Sequence, residues 1–176
     1  MNSLTCIILD DEPRNVQLLK KMLAEYCPQV QVLATESNAG KGLALIKELQ
    51  PQLLFLDIEM PGMNGFELLE KCMDTGFAVI FTTAYNEYAI QAIRHSALDY
   101  LLKPVDKNEL IQAVVKAQKQ TNKDSGNIET RPLISYGTVR FAQINYIEME
   151  RMKRIIGNIS YGYEPVLMYN SIYRKF

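Results

Sequence analysis

The chain has 176 residues, of which 48% are hydrophobic and 22% charged, and its net charge is −1. That composition excludes a disordered or collagen-like chain, no apolar run is long enough to span a membrane, and the overall charge does not announce a nucleic-acid partner. The balance is uneven: residues 1–120 hold 11 basic and 15 acidic side chains, whereas residues 131–176 hold 7 basic and 3 acidic ones.

The N-terminus, Met1-Asn2-Ser3-Leu4, has neither a basic region nor a cleavable apolar segment, so no secretory signal is expected. Cys6, Cys27 and Cys72 are far apart and show no metal-ligand or CxxC spacing. They read as reduced thiols of a cytoplasmic protein.

The apolar run Leu4 to Leu9 has strand length and is followed by Asp10-Asp11-Glu12-Pro13. Proline suits the first turn of a helix, and Val16, Leu19, Met22, Leu23 and Tyr26 then recur at helical spacing. Val30 to Ala34 predicts a second strand. Asn38 is placed to cap a helix carrying Leu43, Ile46 and Leu49. Leu53 to Leu56 predicts a third, wholly apolar strand that ends at Asp57, and Phe66, Leu69 and Met73 mark a short third helix. Ala78 to Phe81 predicts the fourth strand, a helix is expected from about Asn86 to His95, and Leu98 to Leu102 is the fifth strand. Leu110, Ile111, Val114 and Val115 are the expected buried stripe of a last helix.

Five strand–helix units in a row, with strands apolar on both faces, predict an α/β domain with a parallel, doubly wound sheet covered by helices on each side. Such a sheet places its site beyond the carboxyl ends of the strands. The residues there are Asp10 and Asp11, Asp57, Thr82 and Thr83, and Lys103. Carboxylates gathered without compensation repel one another, and a hard divalent cation relieves this. A carboxylate beside such a cation can act as a nucleophile toward phosphorus, giving an aspartyl phosphate. Lysine supplies a point charge and threonine a hydroxyl donor for phosphoryl oxygens. Each part alone has a plain structural reading as a turn, a cap or a loop residue. Their joint placement at the strand ends in this order does not.

The stretches Ile8-Leu9-Asp10-Asp11-Glu12, Leu56-Asp57-Ile58-Glu59-Met60-Pro61-Gly62-Met63-Asn64-Gly65, Phe81-Thr82-Thr83-Ala84 and Asp99-Tyr100-Leu101-Leu102-Lys103-Pro104 resemble a response-regulator receiver domain, a five-stranded flavodoxin-like fold. The resemblance covers residues 4–120. It implies Asp57 as phosphoacceptor, with a magnesium ion held by Asp11 and Asp57 directly, by the backbone carbonyl of Glu59, and by Asp10 through water. It further implies Lys103 as the phosphoryl partner, Thr83 as the switch hydroxyl, Tyr100 as the aromatic that swings inward, and a cis bond between Lys103 and Pro104. The phosphoryl donor it implies is a sensor histidine kinase. The chain itself is then expected not to be an enzyme but a phosphoacceptor that takes part in its own phosphotransfer and dephosphorylation. It has no glycine-rich phosphate loop of its own. His95, the only histidine, is expected to be an exposed residue at a helix C-terminus. A phosphatase that uses Asp57 as nucleophile is disfavoured, because the haloacid-dehalogenase class carries an Asp-x-Asp loop after its first strand.

Residues 121–130 are mostly polar, contain Gly126 and read as a linker. Residues 131–176 read as a short all-β segment: Val139, Phe141, Ile144, Tyr146 and Ile147 are β-formers, punctuated by Gly137, Gly157-Asn158 and Gly162. Ile144-Asn145-Tyr146-Ile147-Glu148 resembles the start of a LytTR-type DNA-binding domain. Phe81 to Ile90 likewise resembles receivers that carry that module. Residues 131–176 correspond to its first half only. The resemblance implies control of transcription through DNA. By their charge, Arg140, Arg151, Lys153 and Arg154, and also Arg174 and Lys175, are candidate phosphate contacts. It is compatible with a phosphorylation-dependent homodimer. The alternative is a receiver that acts as a protein-interaction switch, with an incomplete tail that does not bind DNA.

Overall fold

The computed structural model describes residues 3–72 and 76–124, with the side chains of 122–124 left aside. Its strands are β1 (Leu4–Leu9), β2 (Val30–Glu36), β3 (Leu53–Leu56), β4 (Ala78–Thr83) and β5 (Asp99–Leu102). They alternate with α1 (Pro13–Tyr26), α2 (Ala39–Leu49), α3 (Gly65–Glu70), α4 (Ala89–Arg94) and α5 (Lys107–Asp124). All strand pairs are parallel and the sheet order is β2-β1-β3-β4-β5. The order reverses between β1 and β3, which puts the crevice for a ligand beyond their carboxyl ends.

Alternation along the strands divides the core in two. Ile7, Leu9, Leu54, Leu56 and Phe81 face the layer that includes Ala39 and Ile46 of α2, Leu68 of α3 and Ala92 of α4. Leu4, Cys6, Ile8, Leu53, Phe55 and Ile80 face Leu19 and Leu23 of α1 and Leu110, Ala113, Val114 and Ala117 of α5. Strands that are apolar on both faces follow from this double cover.

Local signals set the helix starts. Asn38 accepts a hydrogen bond from the Lys41 amide, as expected of the α2 cap. Asn64 and Glu67 bond reciprocally across the first turn of α3, a capping box that fixes where this short helix begins. Pro13 opens α1.

Several expectations shift. β2 and β4 each run two residues further than predicted, so Thr82 and Thr83 lie inside β4. α4 covers only Ala89–Arg94. Val115 is exposed, and the buried stripe of α5 instead uses Ala113 and Ala117 beside Leu110 and Val114. α5 continues through Asp124, four residues into the stretch read as a linker. Met73, residues 125–130 and the whole of 131–176, with Arg140, Arg151, Lys153 and Arg154, lie outside the described residues. Cys6, Cys27 and Cys72 are buried and not joined to one another in a disulfide, and burial pushes the Cys6 thiol up to about 12.

Candidate functional site

The main-chain ladder carries the site residues one step past each strand. The Asp10 amide donates to the Glu36 carbonyl at 3.2 Å, that of Asp57 to the Leu9 carbonyl at 2.8 Å, and that of Lys103 to the Thr83 carbonyl at 2.8 Å. Asp57 is held from below as well. A Cβ on Gly65, the first residue of α3, would stand 2.5 Å from the Asp57 carbonyl oxygen, so only glycine lets α3 start this close to that backbone.

Asp10, Asp11 and Asp57 each offer a carboxylate oxygen, and these oxygens lie within 4.8 Å of one another. Asp10 and Asp57 are buried and Asp11 is exposed. Lys103 bridges the two buried ones, its Nζ 2.8 Å from Asp10 Oδ2 and 2.5 Å from Asp57 Oδ2. The other oxygen of Asp10 accepts from the Glu12 amide at 3.0 Å and from the Asn15 side chain at 3.4 Å. Asp57 Oδ1 accepts from the Glu59 amide at 3.4 Å.

Burial dominates the electrostatics of Asp57 and raises its pKa; Lys103 works against the rise and Asp10 adds to it. Burial acts to lower Lys103, but its bonds to Asp10 and Asp57 outweigh that and leave its pKa raised. Both values are raised: the Lys103 shift favours the ion pair, whereas burial of Asp57 outweighs what it gains from its share of the ammonium. Three carboxylates against one ammonium leave a formal surplus of two negative charges, which a divalent cation offsets. All-oxygen ligands of this kind fit a small hard cation such as Mg2+.

The remaining predicted residues also gather here. Thr83 is fully buried at the end of β4, and its hydroxyl accepts from the Tyr85 amide at 3.4 Å. Tyr100 is buried, with its ring 6.4 Å from that of Phe81 and its hydroxyl donating to the Tyr85 carbonyl. It occupies an inward seat in this structure. The Lys103–Pro104 bond is cis. His95 departs from expectation. It caps the C-terminus of α4, but its ring is half-buried and packs against Phe66 at 5.0 Å, because Phe66 projects from α3 under that end of the helix.

Sequence reasoning missed the aromatic rim. The Tyr88 hydroxyl donates to Glu59 Oε1 at 2.9 Å, and the Tyr85 and Tyr88 rings meet edge to face at 5.9 Å. Hydrogen bonding to Glu59 is the first cause that raises the pKa of both phenols. Glu59 and Tyr88 line a cleft of about 450 Å³ together with Asp11. The available signal was a pair of tyrosines three residues apart just past a strand end. Asn15 and the Lys116–Asp99 ion pair of 3.2 Å, which ties α5 to the start of β5, were likewise not foreseen.

The profile of the response regulator receiver domain matches residues 6–115. An uncharacterised response regulatory protein of Vibrio cholerae is 41% identical over 130 residues, 73% of this chain and 54% of that protein. The transcriptional regulatory protein BtsR of Escherichia coli is 35% identical over 119 residues, 66% of this chain and 49% of BtsR. The solved receiver domain of AraT, a response regulator of Geobacillus stearothermophilus, superposes with a TM-score of 0.63 at 28% identity. That match covers 71% of this chain and 99% of AraT's domain. The chain spans about half the length of the curated relatives it matches.

Proposed function

The chain belongs to the response regulator receiver domain family, and from that premise we propose that it accepts a phosphoryl group on Asp57 from a sensor histidine kinase and switches conformation in response. The observation that carries this reading is the single Lys103 ammonium shared between Asp10 and Asp57, with Asp11 completing a trio two charges short of neutrality. Asp10, Asp11 and Asp57, with the backbone carbonyl of Glu59, would hold Mg2+, which when bound neutralises charge on the transferring phosphoryl group.

A carboxylate oxygen of Asp57 forms the new bond to phosphorus as the bond to the donor's imidazole nitrogen breaks, and the electron pair leaves with that nitrogen. Lys103 already sits on the attacking carboxylate and stays with the phosphoryl oxygens once they arrive. The product carries about one more negative charge and new acceptor oxygens. The Thr83 hydroxyl, now on the Tyr85 amide, is the donor available at the end of β4 to turn toward them. Tyr100 then answers to the change in that loop. The chain is thus a phosphoacceptor assisting its own phosphotransfer and dephosphorylation rather than an enzyme with a separate substrate. A groove of about 320 Å³ beside Asp10 and Lys103, rimmed by the half-exposed Leu18, would offer the donor protein an apolar foothold. No helix among the described residues is long and apolar enough to cross a membrane.

For the output, the reading assigns residues 131–176 to a LytTR-type DNA-binding segment acting in the cytoplasm to control transcription. BtsR, which is similar to this chain over 119 residues, is named a transcriptional regulatory protein. Phosphorylation would bring two copies together and with them two basic segments containing Arg140, Arg151, Lys153 and Arg154.

Acetyl phosphate with Mg2+ is expected to add one phosphoryl group, read by intact-mass spectrometry, and an unchanged mass overturns the phosphoacceptor reading. The phosphorylated chain, titrated at physiological salt, is expected to prefer a labelled promoter fragment over random DNA by more than about tenfold. Equal binding to both removes the DNA output and leaves a protein-interaction switch.

A further inference from the structure

We infer that Tyr88, acting through the Glu59 carboxylate, is a positioning residue that ties α4 to the loop behind Asp57, so that the chemical state of Asp57 and the docking of α4 are coupled. The inference rests on the phosphoacceptor reading and adds to it a mechanical link separate from Thr83.

Glu59 faces both ways. Its amide donates to Asp57 Oδ1, and its carboxylate accepts from the Tyr88 hydroxyl. Tyr88 is the N-cap residue of α4, and its side chain makes no capping bond within that helix. Its phenol is spent on Glu59 instead. A helix of six residues cannot hold itself in water, so α4 keeps its place by what it touches. It is clasped around Phe66, which meets the Tyr88 ring edge-on at 6.1 Å near one end and the His95 ring at 5.0 Å near the other. The loop leading into α4 receives a second bond on the same side, from the Tyr100 hydroxyl to the Tyr85 carbonyl. When Asp57 becomes an acyl phosphate, Oδ1 stays in place as the carbonyl or the bridging oxygen but loses its share of the anionic charge, so the bond from the Glu59 amide weakens. Any turn of Glu59 loads the Tyr88 bond and thereby α4.

Hydrogen exchange by mass spectrometry on the full chain tests this. Tyr88→Phe removes one hydroxyl and keeps the ring packing. Without a phosphodonor, peptides covering residues 86–97 are expected to exchange about threefold faster in Tyr88→Phe, which is about the worth of an exposed hydrogen bond to a charged group. Peptides from β1 and β3 are expected to be unchanged. In a Glu59→Ala background the same substitution is expected to add nothing. With acetyl phosphate and Mg2+, the parent's response in 86–97 is expected to shrink by about half or more in Tyr88→Phe, an effect that local loosening alone would not give. Unchanged exchange in Tyr88→Phe, effects that add in the double variant, or an undiminished response to the donor each overturn the coupling while phosphoryl uptake persists. If the parent takes up no phosphoryl group, the phosphoacceptor reading falls and the coupling falls with it.

Discussion

Asp57→Asn is expected to lose phosphoryl uptake from acetyl phosphate entirely, at least about a hundredfold below the parent chain by intact mass. The amide is nearly isosteric, still accepts a hydrogen bond from Lys103 and still fits under the Leu9 carbonyl bond that seats the residue. What disappears is the anionic oxygen that attacks phosphorus. Asp10 and Asp11 remain close by, so an indiscriminate acidic patch would keep accepting phosphate. Labelling of Asp57→Asn at the parental rate would therefore show that phosphate lands elsewhere. The same variant is expected to be no less stable than the parent at neutral pH. Burial already pushes Asp57 toward the protonated form, so removing its charge relieves a penalty.

Lys103→Met is expected to cost about 3 kcal/mol of folding stability at neutral pH without Mg2+, measured by urea unfolding. The substitution keeps an apolar stem of similar length but strands two buried carboxylates that now share one ammonium. The pH dependence separates this from a packing defect. Lys103 is one of the groups holding the Asp57 pKa down, so without it the folded-state value climbs further above the unfolded one. For an acid shifted upward, the folded state binds more protons across that window, and stability falls as pH rises through it. The deficit of Lys103→Met is thus expected to shrink as the pH is lowered from neutral toward mildly acidic, as Asp57 takes up its proton. Added Mg2+ is expected to recover part of it. A deficit that ignores both pH and Mg2+ would assign the loss to packing.

The elements whose fate depends on local pattern were legible. Apolar runs bounded by Asp10, Asp57 and Lys103 marked both the strands and their ends, because a parallel strand covered on two faces is mostly apolar until it leaves the sheet. Thr82 and Thr83 broke that logic. A buried threonine continues β4 as readily as an apolar residue, so polarity marked the strand end two residues early. Val115 failed for a related reason. Hydrophobicity selected it for the stripe of α5, whereas the close packing of α5 on the sheet uses the small Ala113 and Ala117. The acidic trio and Lys103 could be read because each follows a strand in register. The Glu59–Tyr88 bond could not, since it joins residues 29 positions apart whose meeting depends on how α4 docks. The half-burial of His95 has the same origin, Phe66 arriving from α3.

The seat of Gly65 against the Asp57 carbonyl has a consequence for how chains of this design can diversify. With the start of α3 pressed against the Asp57 main chain, the distance between nucleophile and helix is not an adjustable quantity, and any side chain at position 65 would push on the backbone that carries the reactive carboxylate. On the phosphoacceptor reading, tuning of how long a phosphoryl group survives would be pushed outward, onto rim positions such as 59, 85 and 88, where a change of side chain leaves the backbone contact beneath Asp57 untouched.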